Sequence, residues 1–215
     1  MWWAFLVAAV IGYLLGSLPL GLIAGKLVRG VDIRDYGSGK TGFTNALRTI
    51  GLKAALLVLL GDVVKGVAPV LIARLLSDDA YAQTVAGLAA IVGHDWPVFA
   101  AFRGGRGVTT FFGVLLAMNP LVFLALVPVG VGIAVVTRYM SVMSMLSAVL
   151  AAAVLIGLAA AGVLPAAYPV YASLGAALIV FLHRENIGRL LAGKEPKIGR
   201  GGERRAASDG PVASS

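Results

Sequence analysis

Residues 121 to 161, LVFLALVPVGVGIAVVTRYMSVMSMLSAVLAAAVLIGLAAA, decide the fold class of this chain. Arg138 is the one charged residue in the stretch, and it separates two long apolar runs. An apolar run of about 20 residues is long enough to cross a lipid bilayer as a helix. The sequence therefore predicts two membrane helices here, at 121 to 137 and 141 to 161, joined by a short basic turn.

The composition of the whole chain agrees with a membrane protein. Hydrophobic residues make up 59% of the 215 residues and charged residues 13%, with a mean hydropathy of +0.92. Soluble domains carry about 25% charged residues. The absence of cysteine excludes disulfides and cysteine-bound metals, and two histidines leave little for any other metal site. We therefore expect an all-α integral membrane protein that uses no metal and no cofactor.

Apolar runs bounded by charges, glycine and proline predict about seven transmembrane helices, two of them short. They are placed at 2 to 24, 54 to 76, 82 to 101, 108 to 118, 121 to 137, 141 to 161 and 167 to 182. Asn119 and Pro120 separate the fourth and fifth runs, which could also form one kinked or re-entrant segment, so five or six spans are the alternatives. The first run lacks a basic leader and a cleavage site, and we expect it to stay as an uncleaved helix.

The basic residues give the chain an orientation. The eighteen lysines and arginines include six at 25 to 53, two at 102 to 107, one at 138 to 140 and seven in the tail from 183. The loops on the opposite side hold none. Because basic loops stay in the cytoplasm, we expect the N-terminus outside and the C-terminus in the cytoplasm. The net charge of +8 is explained by this topology, and no nucleic-acid partner is expected.

The first polar cluster is YGSGKTGFTNALR at 36 to 48. Its GKT resembles the end of a nucleotide-binding P-loop, but that motif needs a glycine five positions before Gly39, where Arg34 stands. The segment still offers backbone N–H groups, hydroxyls and cations, which are the groups that bind an anion. The alternative is a solvated basic loop between helices.

Two more polar clusters are expected on the same side of the membrane. The second, GHDWPVFAAFRGGRGVTT at 93 to 110, joins a histidine to a glycine-rich turn with two arginines. Glycine lets the backbone approach a ligand, and arginine can bind a phosphate through two hydrogen bonds. The third, HRENIGRLLAGKE at 183 to 195, places His183 and Asn186 on one face of a helix. Orientation signals and a surface pair of Glu185 with Arg189 are the alternatives.

Charged and small residues inside the spans add further candidates. Asp62 and Lys65 lie three positions apart within the second span, where an unpaired charge would cost about 3 kcal/mol. We expect them to pair with each other or to face a polar cavity, and with His94 they are possible site residues. The GxxxG patterns at 12 to 16 and 21 to 25 predict close helix packing.

Together the motifs resemble those of the acyl-phosphate-dependent glycerol-3-phosphate acyltransferases of bacteria, the PlsY family. The resemblance covers about 12 to 198 and rests on GSLP at 16 to 19, GSGKTGFTNALR at 37 to 48, HDWPVFAAFRGGRGVTT at 94 to 110 and HRENIGRLLAGKE at 183 to 195. It implies a seven-helix inner-membrane enzyme that transfers a fatty acyl group from acyl phosphate to the 1-hydroxyl of glycerol 3-phosphate. The products are lysophosphatidic acid and inorganic phosphate. The implied partners are the two substrates and membrane lipid.

The resemblance also assigns site residues. The first loop would contact substrate through Gly37, Ser38, Gly39, Lys40, Thr41, Thr44, Asn45 and Arg48. The second would hold phosphate through Arg103, Gly104, Gly105, Arg106 and Gly107, while His183 and Asn186 would close the site. The family usually has asparagine in place of Lys40 and lysines in place of both arginines, which are not interchangeable with lysine.

The implied chemistry can proceed by positioning and charge stabilisation, because an acyl phosphate is already activated. We favour direct attack by the substrate hydroxyl, with the proton taken by His183 or by a substrate phosphate. Ser38 as a covalent nucleophile is the alternative. With Asn186, which the resemblance places beside His183, the catalytic candidates are His183, Asn186 and Ser38.

Two other classes of protein compete with this assignment, and a structural membrane subunit is a further alternative. A transporter or channel for a phosphorylated metabolite should carry polar groups on both sides of the membrane, and a phosphotransferase that uses a CDP-alcohol should carry a carboxylate-rich metal motif. The sequence shows neither. We expect one membrane-embedded domain at 1 to 198, a disordered cytoplasmic tail at 199 to 215, a monomer, and an active site at the cytoplasmic face of a bacterial cell membrane.

Overall fold

Across residues 2 to 205, the part of the chain that the structure describes, a computed structural model shows an all-helical protein. Its helices are α1 Trp2–Gly16, α2 Leu20–Arg29, α3 Phe43–Ile50, α4 Leu52–Leu76, α5 Ala80–Asp95, α6 Val108–Met118, α7 Pro120–Thr137, α8 Met140–Ala160, α9 Ala167–Leu182 and α10 Arg184–Leu191. Short 3₁₀ turns cover Ile33–Asp35 and Val98–Ala100. The predicted all-α fold is confirmed, and five of the predicted spans match these helices to within two residues.

The first predicted span, 2 to 24, is wrong as a single helix. α1 ends at Gly16 and α2 begins at Leu20, because Pro19 has no backbone N–H to continue the helical ladder. Within the break, the carbonyl of Leu18 accepts from Leu20 N at 3.0 Å and from Lys65 Nζ of α4 at 3.1 Å. The break is therefore held by a buried side chain of a neighbouring helix.

The predicted span 82 to 101 also differs from the structure, since α5 ends at Asp95. Trp96 precedes Pro97, and a residue before proline is disfavoured in helical geometry. The chain then turns through left-handed backbone at Ala101 and Phe102, with φ of 52° and 57°. This turn leads into the glycine-arginine segment of the second cluster.

Small residues let the central helices approach closely. A Cβ atom on Gly12 or Gly16 would meet the backbone of Ala86 or Ala90 on α5, so α1 and α5 pack at the distance that only glycine permits. The second glycine pair, on α2, seats the loop after it, since Gly25 faces Ile33. The close helix packing predicted from the GxxxG patterns is confirmed for 12 to 16, whereas the glycines at 21 to 25 pack against the loop instead of a helix.

Four stretches of the described chain are long and apolar enough to cross a membrane. They are Trp2–Arg29 taken across its break, Leu52–Leu76, Pro120–Thr137 and Met140–Ala160. The helices Val108–Met118 and Ala167–Leu182 are apolar but shorter. Asn119 separates α6 from α7 and caps α7 by accepting from Val122 N at 2.9 Å, so this pair is two helices rather than one kinked segment.

The polar segments gather where α7 ends and α8 begins. Residues 199 to 205 lie against the first loop, where Gly37 N donates to Glu203 O at 2.9 Å and Arg205 N to Asp35 O at 2.8 Å. These residues, the first seven of the predicted disordered tail, thus have a defined position. The remaining ten, 206 to 215, lie outside the described residues.

Candidate active site

A cavity of about 530 Å³ opens among the polar segments and continues between the helices. One part of its wall is polar and is formed by Ser38, Lys40, Thr44, Asn45, Asp62, His94, Arg106, Thr109 and His183. The other part is apolar and is formed mainly by Leu59, Val63, Phe112, Phe123, Leu126, Val127, Val131, Val135, Met140 and Met143. All three sequence clusters therefore contribute to a single site.

The first loop is held in shape by the amide of Asn45. Its Nδ2 donates to the carbonyls of Ile33 at 2.7 Å and Lys40 at 2.8 Å, and its Oδ1 accepts from Ser38 N at 3.0 Å. Gly37 has φ of 54°, and a Cβ atom there would collide with this amide. Asn45 lines the cavity, but its side-chain hydrogen bonds are all made to the backbone of the loop that carries Ser38 and Lys40.

The glycine-arginine turn docks on the end of α5. Gly104 N donates to Asp95 O at 3.2 Å and Gly105 N to His94 O at 3.0 Å. A Cβ atom on Gly105 would collide with the His94 ring, so the glycines allow this close contact. The turn then directs Arg106 to the cavity, while Arg103 is exposed and does not line it.

Arg106 is the cation most clearly prepared for a ligand. It lines the cavity, and among residues 2 to 205 its buried Nε has no hydrogen-bond partner. Burial and the nearby charge of Arg189 lower the pKa of Arg106, and burial together with the charge of Arg106 lowers that of Lys40. Both side chains thus lie in a region of positive charge, and a bound anion would reduce the repulsion between these cations.

A buried charge cluster forms the deeper polar wall. Asp62 Oδ1 lies 2.9 Å from Lys65 Nζ and 3.6 Å from His94 Nδ1. The predicted pairing of Asp62 with Lys65 is confirmed. The other predicted possibility, that these residues face a polar cavity, holds for Asp62, which lines the cavity. Lys65 itself points to the α1–α2 break and does not line it.

His183 follows the last residue of α9 and is 3% exposed. Its Nδ1 lies 2.8 Å from the carbonyl of Ile179. A carbonyl only accepts, so in the neutral ring Nδ1 carries the hydrogen and Nε2 keeps its lone pair. Burial lowers the pKa of His183 to about 4 despite that hydrogen bond, so the imidazole is neutral at pH 7.

Glu195, which the sequence did not single out, organises the third cluster. Its Oε1 accepts from Asn186 Nδ2 at 2.6 Å and Ser141 Oγ at 2.7 Å, and its Oε2 accepts from Arg189 Nε at 2.8 Å. Burial raises the pKa of this carboxyl, but the three hydrogen bonds outweigh it and the pKa lies below its ordinary value. The predicted pair of Glu185 with Arg189 is wrong, because Arg189 binds Glu195 instead.

Arg48 lies beside the site but outside its wall. It is half-buried on α3, close to the backbone of Gly201 and Gly202. Burial lowers its pKa, while the negative charge of Glu195 acts in the opposite direction. The cations of Arg48, Arg106 and Arg189 are near enough to influence one another.

Arg34 joins two loops that are far apart in sequence, and it too was missed by sequence reasoning. Its guanidinium binds the Asp32 carboxylate, with NH2 at 2.7 Å from Oδ2, and its NH1 donates to the carbonyl of Ala100 at 3.0 Å. Arg34 appeared in the sequence only as the residue that breaks the P-loop pattern. Its partner Asp32 is close in sequence, but the carbonyl of Ala100 is 66 positions away and gives no local signal.

The remaining candidates border the site without lining the cavity. They are Gly37, Gly39, Thr41, Arg48, Lys65, Arg103, Gly104, Gly105, Gly107 and Asn186. Within residues 2 to 205, no three His, Asp or Glu side chains come together in a way that could hold a metal ion. An all-helical membrane protein with a cavity that is basic in one part and apolar in another is suited to an amphiphile with an anionic head.

Comparison with known proteins identifies the family. Residues 6 to 193 match the model of the glycerol-3-phosphate acyltransferase family. Glycerol-3-phosphate acyltransferase 3 of Dehalococcoides mccartyi is 46% identical over 90% of this chain and 95% of its own length, and the Gloeobacter violaceus enzyme is 48% identical over 87% and 91%. The crystal structure of PlsY (YgiH) in its glycerol 3-phosphate form superposes with a TM-score of 0.83 at 41% identity, covering 91% of this chain and 96% of that one. The chain belongs to the glycerol-3-phosphate acyltransferase family.

Proposed function

We propose that this cavity transfers a fatty acyl group from acyl phosphate to the 1-hydroxyl of glycerol 3-phosphate, releasing inorganic phosphate and lysophosphatidic acid. The observation that carries the proposal is the position of Arg106 at the basic part of a cavity that continues into an apolar one, with its buried Nε left without a hydrogen-bond partner among residues 2 to 205. Solved structures of PlsY in glycerol 3-phosphate and lysophosphatidic acid forms, at 41% and 40% identity, support the choice of substrate and product.

The basic part of the cavity would hold the phosphate groups. Lys40 and Arg106 line it, and the backbone N–H groups of the first loop and the start of α6 lie on the same side. A helix N-terminus and charged hydrogen bonds both favour an anion. Arg48 would act from outside the wall, by adding positive potential.

The transfer itself needs one proton acceptor. The substrate hydroxyl oxygen attacks the carbonyl carbon, the bond from that carbon to the phosphate oxygen breaks, and the hydroxyl proton leaves. His183 Nε2 is the acceptor that the local geometry favours, since Nδ1 is committed to Ile179. No His, Asp or Glu in the described chain hydrogen-bonds to Ser38 Oγ, which favours direct attack over a covalent intermediate on Ser38.

Asn186 and Glu195 would position the histidine end of the site. Glu195 ties α10 to the start of α8 through Ser141, and this fixes the short helix that follows His183. Asn186 is buried and does not line the cavity, so it would act through its hydrogen bond to Glu195 rather than by contacting substrate. A monomeric enzyme is part of the same proposal.

The orientation belongs to the same proposal. The site faces the cytoplasm of a bacterial cell, the N-terminus is outside and the chain crosses the membrane seven times, because the basic residues gather on the side of the site. Cysteines placed at Asp79 and Ser208 should then react with an impermeant reagent from opposite sides of intact membranes. Reaction of both from one side would overturn the odd number of spans.

The decisive experiment measures phosphate release by the purified protein in detergent. Glycerol 3-phosphate with acyl phosphate should give stoichiometric inorganic phosphate and lysophosphatidic acid. Glycerol 3-phosphate with acyl-CoA, run in parallel, should give no lysophosphatidic acid. Transfer from acyl-CoA at a comparable rate would contradict the proposed donor, and no transfer from either donor would contradict the proposed function.

A further inference from the structure

The apolar part of the cavity lies between α7 and α8 and has a defined direction. Its α7 wall runs from Phe123 to Val135, thirteen residues that span about 18 Å of helix. The two helices are joined by the short turn at 138 to 139, so the end of α7 and the start of α8 lie together. Helix α6 begins beside Arg106 and ends at the turn at Asn119, where α7 begins. The end of α7 therefore lies on the same side as Arg106, and the basic residues are at this end of the cavity.

Gly130 stands in the middle of this wall. It is buried, and a Cβ atom placed on it would lie 3.1 Å from Ser147 Oγ and 4.0 Å from Met143 Sδ, both on α8 and both lining the cavity. Ser144 on α8 is also small, and its hydroxyl is turned back to the carbonyl of Met140 at 2.8 Å. The two helices are therefore close at Gly130, and the cavity passes between them there because the residues on both sides are small.

We infer that Gly130, facing Ser147, sets the length of acyl chain that the enzyme accepts. This inference rests on the proposed function, which supplies the acyl group. Gly130 divides the wall into a part of about 8 Å toward Val135 and the basic end, and a part of about 10 Å toward Phe123. A large side chain at 130 would close the second part and leave room for the beginning of an acyl chain only.

Gly130→Leu is the direct test, with palmitoyl phosphate and octanoyl phosphate as donors. The ratio of kcat/KM for palmitoyl to octanoyl transfer should fall by about ten-fold or more, ten-fold being about 1.4 kcal/mol. Octanoyl transfer should stay close to wild type, which also shows that the variant is folded and that the basic end is intact.

Gly132→Leu is the matched control. It makes the same change two residues along α7, where a Cβ atom meets nothing within 4 Å and the residue does not line the cavity. Its palmitoyl-to-octanoyl ratio should equal that of the wild type. Gly130→Ala, which adds a single methyl group, should shift the ratio in the same direction by about two- to three-fold, and it carries the test if the leucine variant does not fold.

The outcomes separate this inference from the proposed function. A wild-type protein that transfers no acyl group from acyl phosphate would contradict the proposed function. An active wild type whose chain-length ratio is unchanged by both substitutions at 130, or is changed equally by Gly132→Leu, would overturn the role of Gly130 alone. Equal loss of both donors in Gly130→Leu and Gly130→Ala would overturn it as well.

Discussion

Replacing Arg106 by alanine should separate catalysis from stability. A charged hydrogen bond to phosphate contributes about 1.5 to 3 kcal/mol, so Arg106→Ala should lower kcat/KM for glycerol 3-phosphate or acyl phosphate by about ten- to hundred-fold. In the described chain, Arg106 Nε is buried without a partner, and burial together with nearby cations lowers the pKa of its guanidinium. The substitution therefore removes an unfavourable buried charge, and thermal unfolding in detergent should occur at an unchanged or higher temperature.

Two further variants sharpen this prediction. Arg106→Lys keeps the charge but loses the planar fork, so it should retain more activity than alanine. Lys53→Ala, an exposed cation at the start of α4, should leave both activity and stability unchanged. Arg74 is unsuitable as a control because its NH2 donates to the carbonyl of Ala117 at 2.8 Å. Wild-type kcat/KM in Arg106→Ala, or a marked loss of thermal stability, would refute the reasoning.

Three other predictions concern the proton acceptor, the tail and the buried ion pair. His183→Gln should lower kcat at neutral pH by about 10²- to 10⁴-fold, and in the wild type protonation of His183, with its pKa of about 4, should reduce the rate only as the pH falls toward 4. A loss of rate centred near pH 6.5 that disappears in His183→Gln would contradict that shift. Deleting 206 to 215 should leave kcat/KM unchanged, whereas deleting 199 to 215 should lower it several-fold by removing two backbone hydrogen bonds to the first loop; equal activity of both truncations would show that these contacts are unimportant. Lys65→Met should destabilise the protein by about 3 to 5 kcal/mol, because it leaves Asp62 as a buried unpaired charge, and Asp62→Asn with Lys65→Met should unfold at a higher temperature than Lys65→Met alone.

The positions of the long helices could be predicted because each helix corresponds to one continuous apolar run in the sequence. The apolar runs 108 to 118, 121 to 137 and 167 to 182 need no partner to be recognised, since the bilayer requires only length and hydrophobicity. The two errors both occur at proline. Pro19 and Pro97 lie within apolar sequence, where hydropathy continues but the helical hydrogen bonds do not.

The residues of the candidate site also fall into those that the sequence could predict and those that it could not. Sequence placed Lys40, Arg106 and His183 in one site through their motifs, and the cavity brings these three together. It did not indicate that Asn45 would bind its own loop or that Glu195 would bind Asn186, because both contacts depend on how the chain turns between residues twelve and nine positions apart. Spacing shows which face of a helix a residue is on, but not which partner comes to meet it.

The Arg34 guanidinium has a consequence for how the site is made ready for substrate. It connects the Asp32 carboxylate in the first loop with the carbonyls of Ala100 and Arg103 beside the second. Between those carbonyls, Ala101 and Phe102 adopt left-handed backbone, an arrangement that costs about 1 to 3 kcal/mol per residue and persists only when its surroundings enforce it. The two loops therefore behave as one rigid clamp that is assembled during folding. Substrates arriving from water and from lipid meet a site whose parts are already in register, so little of their binding energy is lost to ordering it.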